Sequence, residues 1–246
     1  MDPLTIAAAS GLRSRMESLD LLANNLANSA TSGYKADREF YGLYMSPDSA
    51  PSDEGVSSTL PVIEKQWTDF SPGVLQVTGN PLDVAISGRG FLVVNGPTGP
   101  LYTRNGGLQV LGSGELATAD GLPLSGVGGQ PVRVSSGKPI EIATDGTVRQ
   151  DGQSIGQLQV VDFKSTSALR KMGKSCFENP DPKNGPIAPE SVDIQQGKLE
   201  NSNVPVAEAA MRLVGVMRQF EMLQKAIGIS GEMNAKAIQE VARVGA

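Results

Sequence analysis

The stretch Val206–Ile227, VAEAAMRLVGVMRQFEMLQKAI, places apolar residues seven apart at Val206, Leu213, Phe220 and Ile227. Ala209, Val216 and Leu223 follow the first three of these by three residues. This alternating three-four spacing puts all seven on one seam of a helix, the pattern of a helix made to lie against another. Ahead of it, Asn201-Ser202-Asn203-Val204 reads as a cap, and Pro205 suits a first helical position, where an N–H would lack a partner anyway. Proline also pushes Val204 out of helical geometry, so the boundary is sharp. The spacing predicts a helix from there to about Arg243, weakened around Gly228 and Gly231.

A second stripe of the same kind opens the chain: Ala9, Leu12, Met16, Leu19, Ala23, Leu26 and Ala30. Asp2-Pro3 makes a good helix start, and Thr31-Ser32-Gly33 a good stop. Inside this helix, Asn24, Asn25 and Asn28 are poor helix formers with no salt-bridge pairs to compensate. Amides beside small residues suit close packing and side-chain hydrogen bonds against a neighbouring helix.

Between the two seams the pattern changes. From Tyr34 to Asn80 periodicity fades among Pro47, Pro51, Pro61 and Pro72, which reads as an extended connector with a short strand at Leu60–Trp67. Asp48 to Ser58 is polar and flexible in character. Trp67, the only tryptophan, reads as a packing anchor. From Pro81 the chain reads as β structure. Leu82, Val84 and Ile86 alternate with Asp83 and Ala85 as a half-buried strand, and Phe91-Leu92-Val93-Val94 follows a Gly88-Arg89-Gly90 turn. Asn105-Gly106 is a hairpin signal, and Asp120-Gly121, Asp145-Gly146 and Asp151-Gly152 mark further turns. Such spacing points to an all-β sandwich or small barrel. After a Pro-rich irregular stretch, Val192–Ile194 and Lys198–Glu200 return as short strands.

Composition narrows the chemistry. The 246 residues hold 21 basic and 26 acidic side chains with no basic block, which argues against nucleic acid or an anionic membrane surface as partner. Histidine is absent, removing the commonest general base and metal ligand. Cys176 is the only cysteine, so there is no internal disulfide and no Cys-rich zinc site. Gly88-Arg89-Gly90 and Gly126-Val127-Gly128-Gly129 lack the Lys-Ser/Thr of a phosphate loop and open no amphipathic helix. Asp145-Gly146 and Asp151-Gly152 lack calcium-loop spacing. A glycosidase needs only two carboxylates, such as Glu115 and Asp145, but these sit in turn contexts without aromatic platforms. The reading is therefore no enzyme, no cofactor, no metal and no small-molecule substrate. The N-terminus lacks the charged start and continuous apolar core of a cleavable signal, and no apolar run is long enough to span a membrane.

The motifs at both ends and in the centre resemble the flagellar axial proteins of the bacterial basal-body rod and hook. Leu21-Leu22-Ala23-Asn24-Asn25-Leu26-Ala27-Asn28 with Thr31-Ser32-Gly33-Tyr34-Lys35 is similar to the family's N-terminal signature. Gly197-Lys198-Leu199-Glu200-Asn201-Ser202-Asn203-Val204 is similar to the segment opening its C-terminal helix. Leu82-Asp83-Val84-Ala85-Ile86 with Gly88-Arg89-Gly90-Phe91, then Tyr102-Thr103-Arg104-Asn105-Gly106, resemble the middle block of its rod members. Pro72-Gly73-Val74-Leu75 leading to Asn80-Pro81-Leu82-Asp83, Arg218-Gln219-Phe220-Glu221-Met222 and a short Gly33–Leu82 interval look most like the proximal rod.

Taken with the periodicity, the expected fold is α+β: long N- and C-terminal helices paired as a coiled coil, with an inserted all-β domain and extended connectors. Its expected parts are an N-terminal helix over 1–33, a connector over 34–80, a β-rich outer domain over 81–185, a returning β segment over 186–203 and a C-terminal helix over 204–246. The resemblance implies a structural, self-assembling subunit of a hollow helical rod across the periplasm. Its partners would be copies of itself, other rod subunits and the type III export apparatus. The expected assembly interface is Leu12, Met16, Leu19, Ala23, Asn24, Asn25, Leu26 and Asn28 with Val206, Ala209, Leu213, Val216, Phe220, Leu223 and Ile227. A distal rod or hook subunit is the alternative within the family. Outside it, the alternative is a secreted β-rich binding protein or carbohydrate-active enzyme.

Overall fold

The computed structural model describes residues 3–45, 59–135, 137–173 and 175–244. The Asp2 cap and the whole polar stretch at 48–58 lie outside them. The chain divides into two compact units, one of residues 1–27, 37–67 and 205–246, the other of residues 28–36 and 68–204.

The first unit holds α1 (Pro3–Ala27), β1 (Asp37–Met45), β2 (Thr59–Thr68) and α2 (Val206–Val244), with β1 and β2 paired in a two-stranded sheet. It overturns the expected coiled coil. Among the described residues there are only two α-helices beside sixteen strands, and no coiled-coil pair built on the two apolar seams. The side of α1 that is buried is Gly11, Ser14, Ser18, Leu22 and Asn25, one leucine among small and polar residues. Of the predicted stripe, Ala9, Met16 and Ala23 are exposed, and Leu12, Leu19 and Leu26 are half-buried. The cause is hydrogen bonding to the strand that follows. Ser18 Oγ donates to Glu39 Oε1 at 2.7 Å, Asn25 Nδ2 donates to the Asp37 carbonyl at 2.7 Å, and Asp37 N–H donates to Asn25 Oδ1 at 2.9 Å. Leaving these groups dry and unpaired would cost roughly 1–3 kcal/mol each, enough to set the rotation of α1 against its own apolar period. Trp67, read as an anchor, is 45% exposed.

Among its described residues the regular structure of the second unit is β, apart from one 3₁₀ turn at Thr166–Ala168. In chain order its strands are β3 (Leu75–Val77), β4 (Val84–Ile86), β5 (Phe91–Gly96), β6 (Gly99–Thr103), β7 (Leu108–Val110), β8 (Leu116–Thr118) and β9 (Glu141–Ile142). There follow β10 (Thr147–Gln150), β11 (Gln153–Gln157), β12 (Val160–Val161), β13 (Arg170–Met172), β14 (Cys176–Glu178), β15 (Ile194–Gln196) and β16 (Lys198–Glu200). The largest sheet has the order β12-β5-β6-β14-β13, beside a three-stranded β11-β10-β9 sheet and the pairs β7-β8, β15-β4 and β16-β3. All of these pairings are antiparallel.

Strand β5 explains why Phe91–Val94 is continuously apolar. Successive side chains point to opposite faces of a strand. Leu92 and Val94 enter an aliphatic core with Val84, Leu116, Leu124, Val148 and Ile194, while Phe91 and Val93 enter an aromatic core with Tyr102, Phe163 and Phe177. In the latter, Tyr102 and Phe163 stand edge to face at 4.8 Å and 85°, and Phe70 meets Phe177 at 4.9 Å and 61°. Val84–Ile86, read as half-buried, is buried on both sides. Asn105-Gly106 does not turn a hairpin: β6 pairs with β5 and β14, whereas β7 pairs with β8. Gly106 is needed for another reason, since a Cβ there would lie 1.7 Å from the Val84 carbonyl oxygen.

Candidate assembly surface

Along α2, Ala209 is buried, Leu213, Val216, Phe220, Leu223 and Ile227 are half-buried, and Val206 is 51% exposed. The seam thus faces the first unit without being covered by it. Leu223 Cδ1 lies 3.7 Å from where a Cβ on Gly11 would stand, so this leucine packs over the Gly11 position of α1 at a distance that an alanine would also allow. On α1, Asn25 is buried in its pair of bonds with Asp37, Asn24 is exposed, and Leu26 is half-buried. Asn28 lies in the second unit, where its carbonyl accepts from Thr31 N–H at 3.0 Å. Asn25 therefore has an internal structural task, and Leu12, Met16, Leu19, Ala23 and Leu26 form an apolar stripe turned away from the packed face.

The periodicity missed a polar contact in this unit. Arg212 Nη2 of α2 approaches Glu39 Oε1 to 3.9 Å, and Glu39 also accepts from Ser18. Helix α1, strand β1 and helix α2 are thereby held around one carboxylate.

A larger omission lies in the second unit. Lys35 Nζ donates to Glu200 Oε1 at 2.5 Å and to the Ser71 carbonyl at 2.7 Å. Arg104 Nη1 donates to Glu200 Oε2 at 3.2 Å and to the Ile86 carbonyl at 3.1 Å, while Nη2 donates to the Gly88 carbonyl at 2.6 Å. Glu200 accepts a further bond from Gly73 N–H at 2.8 Å. All three ionic side chains are at most 5% exposed. Burial pulls the Lys35 ammonium below the ordinary lysine range, and the charge and hydrogen bond of Glu200 oppose it. Arg104 is lowered by burial and supported by Glu200 in the same way. Asn203 completes the arrangement by accepting from Ala36 N–H at 2.8 Å and donating to the Asp69 carbonyl at 2.7 Å.

The remaining polar features serve local structure. Glu115 pairs with Arg133 at 3.0 Å. Asp145 closes its own turn by accepting from Thr147 N–H and Oγ1, both at 2.9 Å, bonds that hold its carboxyl below the usual range. Two open hollows of about 390 and 430 Å³ flank the Arg89–Asp162 ion pair. Among the described residues no cluster of three or more Cys, Asp or Glu is arranged to hold a metal, and no helix is long and apolar enough to cross a membrane.

Residues 85–153 match the flagellar hook protein FlgE/F/G D1 domain, and residues 195–240 match the flagellar basal body rod FlgEFG protein C-terminal domain. Over 97% of its length the chain is 30% identical to flagellar basal-body rod protein FlgG of Buchnera aphidicola from Acyrthosiphon pisum, all of which is covered. The chain belongs to the flagellar basal-body rod proteins. It is also 32% identical to rod protein FlgF of Salmonella typhimurium and 31% identical to that of Escherichia coli, each over 97% of this chain and 98% of the relative. As a member of this family it is a structural component of the flagellar basal body and not an enzyme. The three blocks that carry the rod resemblance each send one residue into the buried cluster: Lys35, Arg104 and Glu200.

Proposed function

We propose that this rod subunit occupies the proximal section of a hollow helical rod across the periplasm and is held there by the outward faces of its terminal helices. Export through the flagellar type III apparatus belongs to the same reading. The observation that carries the assembly reading is the stripe Leu12, Met16, Leu19, Ala23 and Leu26, which the subunit itself leaves half-buried or exposed. Covering one leucine or methionine of that stripe contributes roughly 1.5–3 kcal/mol when burial is complete, so a few such residues hold a neighbour. The half-buried α2 seam, Leu213 to Ile227, supports the same contact. A stripe on one subunit received by a different face of the next gives a heterologous interface that repeats without closing, as a rod requires. The proximal position is supported by Pro72–Leu75, Asn80–Asp83 and the short interval before Leu82.

Met16→Asp tests the assembly reading, because Met16 is 54% exposed and its replacement leaves the packed face untouched. The expected result is a chain with unchanged circular dichroism that is missing from purified basal bodies. Normal incorporation of the variant overturns the reading. Deleting the gene and imaging where rod growth halts tests the proximal placement; arrest only after a complete rod would refute it.

A further inference from the structure

The second unit is closed by its own C-terminal end. Residues 193–203 pair as β15 with β4 and as β16 with β3, and Ile194 sits in the aliphatic core at 1% exposure. Hydrogen bonds tie this strap to residues 33–36, 69–79, 81–87, Arg104 and residues 140–144, all of them earlier in the chain. Gln196 alone holds two of these segments. Its side chain donates to the Pro81 and Ile140 carbonyls at 2.7 and 2.8 Å and accepts from Ile142 N–H at 3.1 Å. Glu200 joins two more, since its carbonyl accepts from Gly33 N–H at 2.7 Å and its carboxylate from Gly73 N–H at 2.8 Å. The seat is tight. A Cβ on Gly73 would lie 1.9 Å from the Asn201 carbonyl oxygen, and the three atoms nearest to it all belong to Glu200 and Asn201.

The strap brings charge as well as strand pairing. Without Glu200, Lys35 and Arg104 keep carbonyl partners but have no ion pair. Asp69 and Asp162 reach these cations by charge, with a hydrogen bond to neither. A buried cation stripped of its counter-ion disfavours the closed state more than the pair favours it. Long-range contacts also reward folding only after the closure entropy of the intervening chain has been met. We propose that residues 193–203 are a closing strap: the second unit holds no stable structure until this segment docks and its carboxylate reaches Lys35 and Arg104. In a chain delivered N-terminus first, residues 28–192 therefore stay open until almost the whole unit has been supplied. For the export described above, this keeps the chain threadable. That consequence rests on the rod reading, whereas the strap does not.

Amide hydrogen exchange on the purified full chain tests the strap. Val93, Asn95 and Leu116 report on the rest of the unit, because their N–H groups donate to the carbonyls of Gln159, Pro123 and Val132, away from the strap. Gly73→Ala blocks the seat, and Gly185→Ala, where a Cβ meets open space, is its control. The expected result is exchange at the three amides at least about a hundredfold faster in Gly73→Ala than in the control or the unaltered chain. Protection retained at these amides in Gly73→Ala overturns the proposal. Pulse labelling during refolding of the unaltered chain gives a test free of any substitution. The three amides should gain protection in the same phase as Ile194, Gly197 and Asn201 of the strap, and protection of the three in an earlier phase overturns the proposal. Absence of the unaltered chain from basal bodies defeats the rod reading and leaves the strap standing.

Discussion

Lys35 and Glu200 stand 165 positions apart in the chain and meet at 2.5 Å with both side chains buried. Glu200 is ion-paired with two buried cations, Lys35 and Arg104. Removing one member of a buried ionic set costs far more than the set contributes, because it strands the remaining charge. Glu200→Ala strands two and also takes away the acceptor of Gly73 N–H. The expected loss is about 3–5 kcal/mol in unfolding of the β-rich unit. Lys35→Met should cost less, since Glu200 keeps Arg104 and Gly73. Denaturant titration followed by aromatic fluorescence measures both, and equal costs would refute the ordering.

Gly11 is buried in the middle of α1, where glycine is expensive relative to alanine. A Cβ there would sit at ordinary contact distance, 3.7 Å, from Leu223. Gly11→Ala is therefore expected to stabilise α1 by about 0.5–1 kcal/mol. Slower amide hydrogen exchange across residues 9–25 is the measurement, and faster exchange would show that the small face tolerates no added methyl group.

Leu213 and Phe220 lie on the half-buried seam of α2, in the unit that excludes residues 68–204. Leu213→Asp and Phe220→Asp are expected to leave the near-ultraviolet signal of the β-rich unit intact while abolishing incorporation into basal bodies. Rods built normally from either variant would count against the seam.

Cys176 is 5% exposed on β14. Burial pushes its thiol up from the ordinary value, the charge of Asp120 adds to this, and the Thr103 hydrogen bond opposes it. At pH 8 a maleimide should label the folded chain at least about a hundredfold more slowly than the unfolded chain, since the thiolate is the reactive form. The sign with pH follows by linkage. The folded state holds this proton to higher pH than the unfolded state, so this group's contribution to stability is present below the unfolded thiol's value. It is lost as pH rises through that value toward the folded one. Cys176→Ser should flatten that part of the alkaline stability profile.

Much of this protein was legible in its residue order. Pro205 set the start of α2 because a residue without an N–H loses nothing there, and α2 begins at Val206. The three family blocks pointed to a rod protein, and two domain matches and full-length relatives agree. Seven-residue spacing marked apolar positions along each helix, but it could not say what each of them faces, and the coiled coil it suggested is not formed. On α1 that was settled by Ser18 with Glu39 and Asn25 with Asp37, whose bonds turn a polar face inward and leave the apolar stripe outward. Spacing counts apolar residues along one element, whereas rotation depends on which polar groups must be satisfied by another. The meeting of Lys35, Arg104 and Glu200 was likewise beyond any local pattern, because only the folded backbone brings such distant positions within hydrogen-bonding distance.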